Sequence, residues 1–109
     1  MRTTIEWLDA VKAKLDLPSD YAAAKVLGVT RSTVSAYRNG KSTFDEDTCF
    51  RVAEILDVRA FEVVAATHAE RARDDRHRAF WMDALENFSK GFPWLALPAN
   101  AYGAYAPQV

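Results

Sequence analysis

Between Tyr21 and Phe44 the chain carries Lys25, Arg31, Arg38 and Lys41 and no acidic residue, although its net charge is −1. Such a window is an anion-facing patch inside a neutral protein. Arg31, Ser32, Ser35, Ala36 and Arg38 within it are small or basic. A helix carrying them can approach phosphates without charge repulsion, and a major groove about 12 Å wide admits one such helix. Other chemistry finds little support. Acid–base or nucleophilic catalysis needs convergent titratable groups. The dense carboxylate cluster, Asp45, Glu46 and Asp47, precedes an apolar helix, where acids complement the helix dipole. His68 and His77 have no nearby metal-type partner and read as core or interfacial residues. Cys49, the single cysteine, rules out an internal disulfide and a cysteine-rich zinc site, and reads as a small buried hydrophobe. No glycine loop to cradle phosphates is present. The expectation is a protein without catalytic activity, metal or cofactor.

The elements that position these residues read as helical almost throughout. Thr3 and Glu6 have capping-box spacing. Ile5, Leu8, Val11 and Leu15, with Trp7 beside them, follow at near-helical spacing. Leu17-Pro18 is expected to stop that helix. Ser19 or Asp20 can cap a second, from Tyr21 to about Leu27, which Gly28 ends. Thr30 can cap a third that runs through Arg38 and closes at Asn39-Gly40. Ser42 to Asp47 reads as a polar connection. Cys49, Val52, Ala53 and Leu56 form the stripe of a fourth helix. Asp57 is expected to start a fifth, with Phe61, Val64, Ala65 and His68 inward. That helix either continues or breaks near Arg73-Asp74. Asp75 to Lys90 then places His77, Trp81, Ala84, Leu85 and Phe88 on one side, with Phe80 beside them. No strand pattern of useful length appears.

The segment Asp20 to Gly40 contains a short helix, a tight turn and a second helix. Ala24 permits close crossing, Gly28 permits the turn, and Ala23, Leu27, Val34 and Tyr37 fall on the core side. Ala-x-x-Leu-Gly-Val-Thr-x-x-x-Val-Ser-x-Tyr-x-x-Gly, from Ala24 to Gly40, resembles the helix-turn-helix of phage repressor and Cro-type regulators. Phe50 to Val58 is similar to the fourth helix of that five-helix domain. The resemblance spans roughly residues 3–68. More loosely, the whole chain resembles small phage-related proteins that add a short helical C-terminus.

The resemblance implies an all-α fold, with a helix-turn-helix domain over residues 1–69 and a helical extension with an apolar tail over 70–109. It implies base contacts from Arg31, Ser32 and Ala36. Arg31 would donate a bidentate pair to guanine, Ser32 would donate or accept, and Ala36 would offer a methyl. Thr30, Thr33, Ser35, Arg38, Asn39 and Lys41 fall where phosphate or sugar contacts are expected, which set register rather than sequence. The family commonly has Gln where this chain has Asp20. That carboxylate would repel a phosphate, so either it only caps its helix or the docking angle differs.

The C-terminal third presents more apolar area than a finished five-helix domain needs. Trp81, Leu85, Phe88, Phe92 and Trp94 are expected to form a homodimer or protein-partner contact, since exposed apolar area promotes association. Docking back on the N-terminal domain is the other sink. Two half-sites about 34 Å apart give a dimer its specificity. The Glu70–Arg78 run reads as a solvated face, with Arg71–Asp75 and Asp74–Arg78 at i,i+4 spacing. No apolar run long enough to span a membrane exists, and a cytoplasmic protein is expected. The function implied is a sequence-specific DNA-binding transcriptional regulator, a phage or prophage repressor, with double-stranded DNA as partner. The alternative is an interaction module, such as an antitoxin or adaptor, that uses the apolar tail.

Overall fold

Six helices and no strand make up residues 2–91, the part of the chain that the computed structural model describes. The first, α1 (Thr4–Lys14), starts on the expected capping box. Thr3 Oγ1 accepts from the Glu6 amide at 3.3 Å, and Glu6 Oε1 accepts from the Thr3 amide at 2.8 Å. Its buried stripe is Thr4, Trp7, Leu8 and Val11. Leu15, expected on that stripe, is exposed.

Each of the first four helices ends by one device, in which a residue with positive φ folds the chain back onto orphan carbonyls. After α1 that residue is Asp16 (φ 53°), and the Leu17 amide donates to the Lys12 carbonyl at 2.8 Å. The helix therefore stops before Pro18 can act. After α2 (Asp20–Leu27) it is Gly28, and the Val29 amide reaches the Ala24 carbonyl at 3.0 Å. After α3 (Arg31–Arg38) it is Gly40, and the Lys41 amide reaches the Ala36 carbonyl at 2.9 Å. After α4 (Glu46–Leu56) it is Asp57 (φ 57°), and the Val58 amide reaches the Ala53 carbonyl at 3.1 Å. Asp57 thus ends the fourth helix, contrary to the expectation that it starts the fifth. The true start of α5 (Ala60–Arg71) is Arg59, which makes no side-chain cap.

One core joins α1 to α5. Trp7, Leu8 and Val11 meet Ala23, Ala24, Leu27, Val34 and Tyr37, with Cys49, Val52, Ala53 and Val63 opposite. Phe44 completes it, fully buried in a segment that reads as polar. Its ring stands edge-on to Tyr37, with centroids 5.1 Å apart. Burying a side chain of this size contributes about 1.5–3 kcal/mol. Glu70 then clasps the far end of α5 to the start of α1. Its Oε1 accepts from the Thr4 amide at 2.9 Å and from Thr4 Oγ1 at 2.8 Å. The division expected at residue 69 falls inside α5.

The chain breaks at Arg73-Asp74, and Asp74 caps α6 (Asp75–Ser89) by accepting from the His77 amide at 2.9 Å. None of the α6 residues is fully buried. Trp81, Leu85 and Phe88, expected at a dimer or partner contact, are half-buried and also make contacts within their own chain. Trp81 stacks on His68 with centroids 4.4 Å apart, and Phe88 lies 5.1 Å from Phe61. Leu85 shares a 230 Å³ cavity with Arg2, Trp7, Glu62, Ala66 and Ser89. This inward set explains why Phe61 and His68 are not in the main core: α5 has two apolar sides, one facing α4 and one facing α6. Phe92 and Trp94 lie outside the described residues.

Candidate nucleic-acid interface

The sequence builds α3 as an anchored rod. Thr30 caps it, its Oγ1 accepting from the Thr33 amide at 3.1 Å and lying 2.9 Å from Thr33 Oγ1. Val34 and Tyr37 are buried beneath it, so their helical neighbours face outward. Arg31, Ser32, Ser35 and Asn39 are exposed, Thr33, Ala36 and Arg38 are half-buried, and Thr30 and Lys41 are exposed at the two ends. The three expected base readers, Arg31, Ser32 and Ala36, therefore lie on or beside one outward strip. The amides of Arg31 and Ser32, in the first turn, have no partner inside the helix, as in every α-helix. Amides so placed, with the positive end of the helix dipole, suit an anion. Asn39 Nδ2 donates to Ser35 Oγ at 3.4 Å, which links two of the expected backbone contacts.

An open groove of about 600 Å³ runs between the start of α2 and α3. Ser19, Tyr21, Arg31, Ser32, Ser35 and Asn39 line it, with Asp20 and Arg38 at its inner wall. The inner wall answers the question that Asp20 raised. Ser19, not Asp20, caps α2, its Oγ accepting from the Ala22 amide at 3.1 Å. Asp20 is held by two cations instead. Arg38 Nε donates to Asp20 Oδ2 at 3.0 Å and Arg38 Nη2 to Oδ1 at 2.9 Å, while Lys12 Nζ donates to Oδ1 at 2.9 Å. Hydrogen bonding from Arg38 is the largest influence on the carboxyl and lowers its pKa to about 2 against the opposing cost of burial; Lys12 adds to the lowering. The charge that would repel a phosphate is thus compensated within the fold.

The same network engages Arg38. Its Nη2 also contacts Asp9 Oδ1 at 2.7 Å. Hydrogen bonds donated to Asp20 and then to Asp9 push the guanidinium pKa further up. Arg38, expected at the DNA backbone, also pins the end of α3 to α1 and α2. No residue of this trio has its partner nearby in sequence. Tyr21 is the site residue that sequence reasoning missed. It is 49% exposed, and its ring lies 4.7 Å from Lys25 Nζ and 5.0 Å from Arg31 Cζ. A large aromatic at the open start of a motif helix was the available signal.

Residues 19–63 match the model of a helix-turn-helix family of the Cro/C1 type. The match covers the second, third and fourth helices and the start of the fifth. The chain is also similar to the uncharacterized protein Gp-c of Pseudoalteromonas phage PM2. The two are 29% identical over 87 residues, covering 76% of this chain and 95% of that protein. No solved structure matches the chain. No described helix is long and apolar enough to cross a membrane.

Proposed function

We propose that the protein is a sequence-specific transcriptional regulator that works in the cytoplasm as a phage or prophage repressor. The observation that carries this reading is the outward strip of α3. Arg31, Ser32 and Ser35 are exposed there on a helix whose other side is anchored by Val34 and Tyr37. Arg31 reads a guanine through O6 and N7, Ser32 a neighbouring base, and Ala36 a thymine methyl. Thr30, Thr33, Ser35, Asn39 and Lys41 set the register on the phosphates. A homodimer supplies the second half-site, and occupation of a promoter by that dimer excludes polymerase. Half-exposed aromatics on α6 and its exposed Phe80 and Met82 support an association surface at the C-terminal end.

Selection of DNA from a random pool tests this reading. The expected outcome is a palindromic enriched site whose binding weakens steeply as salt rises, because phosphate contacts release counterions. Enrichment of no sequence would overturn it. Enrichment of a single, unrepeated half-site would keep the base readers and remove the dimer. Capture of a heterologous protein by α6 and the residues after it, with no DNA selected, would favour an antitoxin or adaptor instead.

A further inference from the structure

Building on the DNA-reading role of Arg31, we propose that Tyr21 is a specificity-determining positioning residue whose ring holds the Arg31 guanidinium ready at the mouth of the groove. Tyr21 is the second residue of α2, and Arg31 is the first of α3. The turn through Gly28 brings them together across the groove that both line. Arg31 Cζ lies 5.0 Å from the ring centroid, inside the roughly 6 Å over which a guanidinium is attracted to an aromatic face. The ring also draws Lys25, one helical turn along α2, to 4.7 Å.

Two features make this contact the resting place of Arg31. Neither Arg31 nor Lys25 has a carboxylate within ion-pair distance among the described residues. Asp20, the acid beside Tyr21, is already occupied by Lys12 and Arg38. A guanidinium parked on a flat ring has fewer rotamers to give up when it meets a base edge. The effect is confined to the base pair that Arg31 reads. Tyr21 thereby sharpens one position of the site, whereas phosphate contacts raise affinity for every sequence.

The test compares the full chain with Tyr21→Phe and Tyr21→Leu. The base pair read by Arg31 is first located as the position whose preference vanishes in Arg31→Ala. Dissociation constants are then measured at fixed salt for the selected site, for the site altered at that pair, and for random duplex. With Tyr21→Leu, discrimination at that pair should fall by about three- to five-fold, the range an exposed cation–ring contact supports. Affinity for random duplex should be unchanged, and Tyr21→Phe should keep the wild-type ratio. In DNA-free protein, the Arg31 Nε–Hε resonance should move in Tyr21→Leu and stay near its place in Tyr21→Phe. Unchanged discrimination in Tyr21→Leu overturns the proposal. So does a loss that is equal for all sequences, which would make Tyr21 a backbone contact, or an equal loss in Tyr21→Phe, which would assign the effect to the phenol hydroxyl. A wild-type protein that prefers no sequence sinks the DNA reading itself; a failure limited to the Tyr21 variants sinks this inference alone.

Discussion

Helices α3 and α6 are both amphipathic, yet the fold treats them oppositely. In its eight residues α3 buries Val34 and Tyr37 almost completely. In fifteen residues α6 buries none. The anchors of α3 come from several directions: the core beneath it, the Tyr37–Phe44 edge contact, and Arg38 reaching both Asp9 and Asp20. Those of α6 come mainly from α5, as ring pairs at half-buried positions. Helix α3 is thus the more deeply anchored of the two. The extension is fastened mainly by one neighbour. A readout element needs the first arrangement, because misplacement of a hydrogen-bonding group loses specificity. An association surface tolerates the second.

The largest effect that would break this contrast is removal of the anchor below α3. Phe44→Ala should cost about 3–5 kcal/mol, as truncation of a fully buried phenylalanine does. Urea midpoints measure it, and a loss below that range would mean that α3 is not held as described. Next comes the face itself. Arg31→Ala should lose about 1–3 kcal/mol of discrimination at one base pair with an unchanged melting temperature, measured by competition binding. On α6, Trp81→Ala should weaken docking by about 1 kcal/mol, the scale of a stacked aromatic pair. Hydrogen exchange should then quicken along α6 while α3 amides keep their rates.

Acid sharpens the comparison, because the two regions respond in different windows. Burial, and then Arg71, hold the His68 imidazole below its ordinary value of 6.5, with Glu46 opposing. The unfolded chain therefore takes up the proton first. Docking stability from His68 is complete above pH 6.5 and declines as pH falls below it. Asp20 has its carboxyl lowered to about 2 from 3.8. Its contribution is complete above pH 3.8 and is lost as pH falls toward 2. With a side chain 40% exposed, that contribution is screened to less than about 1 kcal/mol. Between pH 6.5 and 4, α6 should loosen while α3 stays protected, and Asp20→Asn should flatten only the lower branch. Smallest of all, Phe80→Ser should change stability by no more than about 0.5 kcal/mol, since that ring is 64% exposed.

Much of this was written locally in the chain. The Thr3–Glu6 box, the Ser19 and Thr30 caps, Gly28, and the Asn39-Gly40 close are each a few residues long, and each forms as read. So do the core positions Ala23, Leu27, Val34 and Tyr37. What was illegible is long-range or ambiguous in type. Phe44 is surrounded by Ser42, Thr43 and Asp45, and its burial depends on Tyr37 arriving from another helix. Asp16 and Asp57 take the left-handed conformation that glycine usually announces; aspartate reaches it at a cost, with no sequence mark to separate it from a capping acid. The Asp20–Arg38–Asp9 network joins three helices, so spacing could not reveal that Arg38 is engaged and Asp20 neutralised. The α5 pattern misled because one helix serves two neighbours, which blurs a single stripe.

The seam between α4 and α5 carries its own gauge. Cys49 is buried there, its Sγ 3.5 Å from Thr67 Oγ1, and burial pushes its thiol pKa up. A thiol so placed is chemically silent until the seam parts. The rate at which a small alkylating reagent captures it therefore reports how often the helices separate. Because the chain has a single cysteine, that rate comes without added labels, and its slowing on duplex DNA would read out how far occupancy of the groove stiffens the scaffold behind it.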